Sequence, residues 1–121
     1  MAICTQRTVV ITGAGAGLGR AYALAFAQEG ANVVINDIRA EAAQAVADEV
    51  RAAGGQAIAN TGDITTLAGA QSILDATLAA FGDVHVLVNN AGVLRDRMFL
   101  SLSEEDWDTV MRVHLRGHFC M

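Results

Sequence analysis

Apolar runs that show no alternation punctuate this chain at regular intervals. Thr8-Val9-Val10-Ile11-Thr12, Asn32-Val33-Val34-Ile35-Asn36 and Val84-His85-Val86-Leu87-Val88 are each about five residues of β-branched and aliphatic character. A strand with one wet face alternates; a strand covered on both faces does not. These three runs therefore predict buried parallel strands, and Gln56 to Asn60 predicts a shorter fourth one. Between them lie segments of helical period. Leu18 to Glu29 places Leu18, Tyr22, Ala25 and Phe26 on one face, with Gly30 to end the helix. Ala40 to Ala53 is rich in Ala, Glu, Gln and Val and stops at Gly54-Gly55. Leu67 to Phe81 carries a stripe of Leu67, Ala70, Leu74, Leu78 and Phe81, and Gly82 stops it. A last helix starts at Ser103, where Ser103 and Asp106 form a capping box and Leu102 and Trp107 occupy the positions of a hydrophobic staple.

Strands alternating with helices of roughly 12–15 residues predict an α/β fold, a doubly wound parallel sheet of the Rossmann type with helices on both faces. Four strands and four helices make that sheet incomplete. No repeat, linker or low-complexity stretch divides the 121 residues, so they form one unit, the N-terminal part of a longer single domain.

Charge narrows the partners. The formal net charge is -5, so nucleic acid is disfavoured and any bound phosphate must be held by local backbone donors. Cys4 and Cys120 lie at opposite ends, without the spacing of a zinc site or a disulfide framework. His114 and His118 are at helical spacing but have no carboxylate or thiol cluster beside them, so no metal site is expected. No apolar run approaches a membrane span and no signal peptide is present, which points to a cytoplasmic setting.

One segment demands a specific chemistry. Thr12-Gly13-Ala14-Gly15-Ala16-Gly17-Leu18-Gly19 joins the first strand to the first helix. Glycines there permit a sharp turn and let backbone approach a pyrophosphate, while the helix opens with free N–H groups aimed at that charge. Asp37 follows 24 residues after Gly13, at the end of the second strand, where a carboxylate can accept from ribose hydroxyls. This places Gly13, Gly15, Ala16, Gly17, Leu18, Gly19 and Asp37 at a dinucleotide site. Asp37 opposes a 2′-phosphate, so NAD is expected over NADP.

Thr12, Gly13, Gly17 and Gly19 match the T-G-x-x-x-G-x-G motif of the short-chain dehydrogenase/reductases, and Asn89 to Gly92 match that family's N-N-A-G. The whole chain resembles the front half of that family. The resemblance implies that Asp63 and Ile64 contact adenine and that Asn90, Ala91 and Gly92 border the cofactor. It also implies that the Thr12 hydroxyl ties the first strand to the loop after the fourth. Leu94-Arg95-Asp96-Arg97, Glu105 to Asp108 and Val113 to Gly117 are similar to the (3R)-hydroxyacyl-CoA dehydrogenase part of peroxisomal multifunctional enzymes and their bacterial relatives. In most of the family an Asn that holds a water in a proton relay stands where this chain has His114, an imidazole able to carry protons near neutral pH.

The activity so implied is the interconversion of a secondary alcohol and a ketone, with a 3-hydroxyacyl thioester as one form of the substrate. The Ser and the Tyr-x-x-x-Lys pair that the resemblance requires are not in these 121 residues. The one tyrosine is Tyr22 and there is no lysine. The chain alone is thus expected to be inactive, and a non-catalytic dinucleotide-binding module is the alternative reading. The fourth strand has no residue that blunts an exposed edge, and the implied family interface lies near the last helix, so a homo-oligomer is expected.

Overall fold

The computed structural model describes residues 2–121. Its centre is a four-stranded parallel sheet in the order β3-β2-β1-β4, formed by β1 (Thr8–Ile11), β2 (Asn32–Asn36), β3 (Gln56–Asn60) and β4 (Val86–Val88). Val10 sits beside Val34 on one side and Leu87 on the other, so β1 is a central strand and β4 an edge. The predicted strand at 84–88 shortens to three residues. Its start is still held, because the His85 N–H donates to the Thr8 carbonyl at 2.9 Å and the Thr8 N–H donates to His85 Nδ1 at 2.9 Å. An imidazole nitrogen takes the place of a backbone acceptor there.

Three crossover helices connect the strands: α1 (Gly17–Gln28), α2 (Ala40–Ala52) and α3 (Leu67–Phe81). α1 and α2 cover one face, where Val9, Ile11, Val33 and Ile35 meet Ala23, Ala43, Val46, Ala47 and Val50. α3 and the end of the chain cover the other, a smaller cluster of Val10, Val34, Ile64 and Ile73 against Phe81 and Met121. Layers on both sides explain why β1 and β2 carry no alternation, whereas edge strand β4 is only half-buried, with Leu87 exposed.

Two helical faces differ from the pattern read along the sequence. On α1 the buried residues are Gly19 and Ala23, while Leu18 and Tyr22 are exposed. On α3 the buried positions are Ala70, Ile73 and Thr77, and Leu67, Leu74 and Leu78 are exposed. On α1 the small side of the helix lies on the sheet, whereas α3 turns Ile73 and Ala70 inward instead of its leucines. A bulky stripe would hold the helix off the strands, and close approach at the β1–α1 turn is what the glycine motif provides.

The last helix is not uniform. Ser103 caps α4 (Glu104–Val110), with the predicted capping box formed by Ser103 and Asp106. Residues Met111–Arg116 then widen into a π-helical turn before α5 (Gly117–Cys120). Sequence periodicity carried no sign of that widening. The turn is fastened at two points: Arg116 Nε donates to the Thr65 carbonyl at 2.8 Å, and His114 grips the loop after β4.

Candidate dinucleotide site

All four strands point their C-terminal ends toward one cleft of about 480 Å³. In open parallel sheets this is where ligands sit. Gly13, Ala16 and Gly17 form one wall, Asn36, Asp37, Ile38 and Arg39 a second, Asp63, Ile64 and Thr65 a third, and Asn90 to Val93 with Val113 close the far end. The structure thus brings nine of the sequence-predicted residues together around one space: Gly13, Ala16, Gly17, Asp37, Asp63, Ile64, Asn90, Ala91 and Gly92. Gly15, Leu18, Gly19 and His114 do not line it.

Each outlier has a physical place. A Cβ on Gly15 would lie 2.6 Å from Asp37 Oδ2, and the Gly15 N–H donates to that same oxygen at 3.0 Å. Gly15 therefore joins the loop to the carboxylate. Gly19 is buried; a Cβ there would overlap the Gly13 carbonyl and lie 2.6 Å from Asn90 Nδ2. Leu18 faces outward and is 68% exposed. The turn itself needs glycine at Gly13 and Gly17, where φ is +63° and +57°. Beyond it the first turn of α1 has no side-chain cap and no acidic residue. Its unpaired N–H groups and the positive end of the helix dipole are left for an anion.

The loop after β4 is locked to β1 by one hydroxyl. Fully buried Thr12 Oγ1 accepts from the N–H groups of Asn90 at 3.1 Å and Ala91 at 3.0 Å, and donates to the Val88 carbonyl at 3.4 Å. Asn90 Nδ2 returns the tie by donating to the carbonyls of Thr12 and Gly13 at 3.0 and 3.2 Å. The connection expected of Thr12 is thus present in detail.

Asp37 is almost fully buried. Burial pushes its carboxyl up, but N–H donors from the Arg39 backbone and side chain and from Gly15, with the Arg39 charge, outweigh it and hold the group below the usual range. Asp63 is also held low, first by the Thr65 hydroxyl at 2.7 Å and then by the Thr65 N–H at 2.9 Å. Both carboxylates are therefore ionised at neutral pH. Asn36, which belongs to no motif, lies at the floor of the cleft. Its Nδ2 donates to the Gly62 carbonyl at 3.0 Å and to that of Asn60 at 3.3 Å, joining the ends of β2 and β3. A buried amide at a strand end is the signal that would have found it.

His114 lies behind the far wall. Its Nε2 is 3.0 Å from the Val93 nitrogen and 2.8 Å from the Val93 oxygen, so the ring binds one or the other according to its tautomer. A Cβ on Gly92 would lie 2.6 Å from His114 Cε1. The glycine is what lets the ring reach the loop. Among the described residues no cluster of three or more His, Cys, Asp or Glu is placed to hold a metal. No helix among them is long and apolar enough to cross a membrane.

This arrangement has known counterparts. Residues 7–121 match the family described as short chain dehydrogenase. The peroxisomal multifunctional enzyme type 2 of Mus musculus is 48% identical over 122 residues, covering 93% of this chain and 16% of its own length. A hydroxyacyl-CoA dehydrogenase of Mycobacterium tuberculosis is 48% identical over 120 residues, covering 95% of this chain and 38% of that protein. A solved short chain dehydrogenase from Mycobacterium avium superposes with a TM-score of 0.93 at 47% identity, covering 98% of this chain and 44% of that one. This chain thus spans less than half the length of each of these relatives, and over that span it belongs to the short chain dehydrogenase family.

Proposed function

We propose that this chain is the nucleotide-binding part of an NAD-dependent oxidoreductase that interconverts a secondary alcohol and a ketone. One observation carries the reading: the glycine turn, Asp37, the Asp63–Ile64 pair and the Asn90–Gly92 loop border a single cleft. A nicotinamide dinucleotide, when bound, supplies hydride-transfer chemistry. The chain's own residues bind and orient it. The N-terminal N–H groups of α1 and the backbone of Gly13 to Gly17 hold pyrophosphate, Asp37 accepts from the adenosine ribose, and Asp63 with Ile64 meets the adenine edge. Asn90 to Gly92, locked by Thr12, set the wall beyond. A hydroxyacyl thioester is the substrate class favoured by the names of the relatives.

His114 fits a role in holding that far wall, since its Nε2 is committed to Val93. Proton relay through this residue then rests on Nδ1. With Tyr22 the one tyrosine and no lysine present, the 121 residues alone bind nucleotide without turning over substrate. The cofactor assignment is tested by titrating the protein with NAD and NADP. NAD binds more tightly, because an ionised, buried Asp37 repels a 2′-phosphate, and Asp37→Ser relaxes the difference. Equal affinity, or tighter NADP, sinks the assignment.

A further inference from the structure

A carboxylate offers about four acceptor positions, two on each oxygen, and in Asp37 all four have donors. Oδ2 takes the Gly15 N–H at 3.0 Å and Arg39 Nη2 at 3.5 Å. Oδ1 takes the Arg39 N–H at 3.0 Å and Arg39 Nε at 3.3 Å. Two of these donors are backbone, built into the glycine turn and the end of β2, and they cannot leave without unravelling both. The other two belong to one guanidinium whose bonds are long and whose side chain is 63% exposed. An ion pair in that setting is weak and screened by salt. Among the described residues Arg39 is also the only basic side chain bordering the cleft.

We propose that Arg39 is a displaceable latch on the ribose subsite: its guanidinium fork occupies the two Asp37 acceptor positions that a vicinal ribose diol takes on binding. The inference rests on the dinucleotide reading above. The exchange is balanced, two hydroxyl donors for two N–H donors, with the backbone donors from Gly15 and Arg39 undisturbed. A diol therefore gains less from Asp37 than it would from a vacant carboxylate. The released guanidinium stays tethered at residue 39, beside the ribose, where it can meet a phosphate on O2′. Arg39 thus lowers affinity for diol nucleotides, raises it for 2′-phosphorylated ones, and narrows the discrimination that Asp37 imposes.

Calorimetric titration with ADP-ribose and 2′-phospho-ADP-ribose tests this on the wild type, Arg39→Gln and Arg39→Lys. Arg39→Gln should tighten ADP-ribose about two- to fivefold, the range set by an exposed ion pair. It should weaken the 2′-phosphorylated ligand severalfold. Arg39→Lys, which keeps the charge without the fork, should tighten ADP-ribose and retain most of the affinity for the 2′-phosphate. Unchanged or weaker ADP-ribose binding in Arg39→Gln overturns the latch while leaving the dinucleotide site standing. A wild-type chain that binds neither ligand overturns the dinucleotide reading itself. Because the side chain is exposed, the variants should melt as the wild type does, and a thermal scan verifies that they are folded.

Discussion

Replacing Thr12 with valine removes one oxygen and keeps the shape, which makes it a clean probe of the joint between β1 and the β4 loop. Three contacts involve that hydroxyl, but they are not equally dependent on it. The Asn90 N–H also reaches the Val88 carbonyl at 3.0 Å, and that carbonyl still receives the Thr12 N–H at 3.1 Å. The Ala91 N–H has Thr12 Oγ1 at 3.0 Å as its acceptor. Valine therefore orphans one buried donor, at about 1–3 kcal/mol, and weakens a shared one by about 0.5 kcal/mol. It also places a methyl at hydrogen-bond distance from two nitrogens, which forces the loop outward. We expect a loss of roughly 2–4 kcal/mol in urea unfolding. Weaker NAD binding should accompany it, because Asn90 and Ala91 border the cleft. Thr12→Ser keeps the hydroxyl and gives up one buried methyl, about 1 kcal/mol, with binding intact. Valine being no worse than serine would refute the hydroxyl lock.

Gly19→Ala should cost stability as well as nucleotide affinity, by about 1–3 kcal/mol, since the added carbon meets the Gly13 carbonyl and Asn90 rather than open cofactor space; a normal melting temperature would count against this packing. Asp37 and Asp63 are both held below the ordinary Asp value of 3.8, so their contributions are complete above that pH and are lost as pH falls through the lowered folded values. Acid unfolding of Asp37→Asn should accordingly show a shallower decline below about pH 4 than the wild type, and parallel curves would exclude the mechanism. Sedimentation of the 121-residue chain should reveal dimers or larger species, because β4 is an unpaired edge and Trp107, Met111, Leu115 and Phe119 are exposed; a soluble monomer with a cooperative melt disproves it.

The fold was legible because its two inner strands, β1 and β2, are buried on both faces and so carry no alternation. The order β3-β2-β1-β4 is not written in the periodicity, which marks strands but not their neighbours. The buried face of α1 departs from its hydrophobic stripe for a local reason. A helix next to a tight strand–turn–helix junction buries its small residues, Gly19 and Ala23, whereas a search by hydrophobic size selects Leu18 and Tyr22. At the site, the motif located the glycines and Asp37 because backbone approach and ribose binding constrain residue type and spacing together. It does not encode the tie of Gly15 to Asp37, nor the bonds from Arg116 to the Thr65 carbonyl and from the Thr8 N–H to His85 Nδ1. Those contacts join positions 22, 51 and 77 residues apart. They depend on where the folded elements meet, and nothing in local spacing encodes that.

The two faces of the sheet divide the consequences of exposure. The face under α1 and α2 is closed by a continuous apolar cluster. The face under α3 is thinner, and beside it Leu67, Leu74 and Leu87 border a second hollow of about 340 Å³ with Cys120 and Met121. The glycine turn, Gly15, Asp37 and Arg39 are attached to the closed face, through β1, α1, β2 and α2. The Asp63–Thr65 wall and Val93 lean on the thinner one, through Arg116 and His114, while Asn90 and Ala91 are tied back to Thr12 and Gly13. Local opening follows packing, so the last helix should loosen before the glycine turn does. Adenosine and pyrophosphate recognition should then outlast the far wall, and a ligand lacking nicotinamide should lose less affinity than NAD when that helix is disturbed. His114→Ala separates the halves: the wall at Val93 loses its anchor while the Gly15–Asp37 bond is untouched. Equal losses for ADP-ribose and NAD in that variant would mean that the cleft responds as one unit and that the division by faces is wrong.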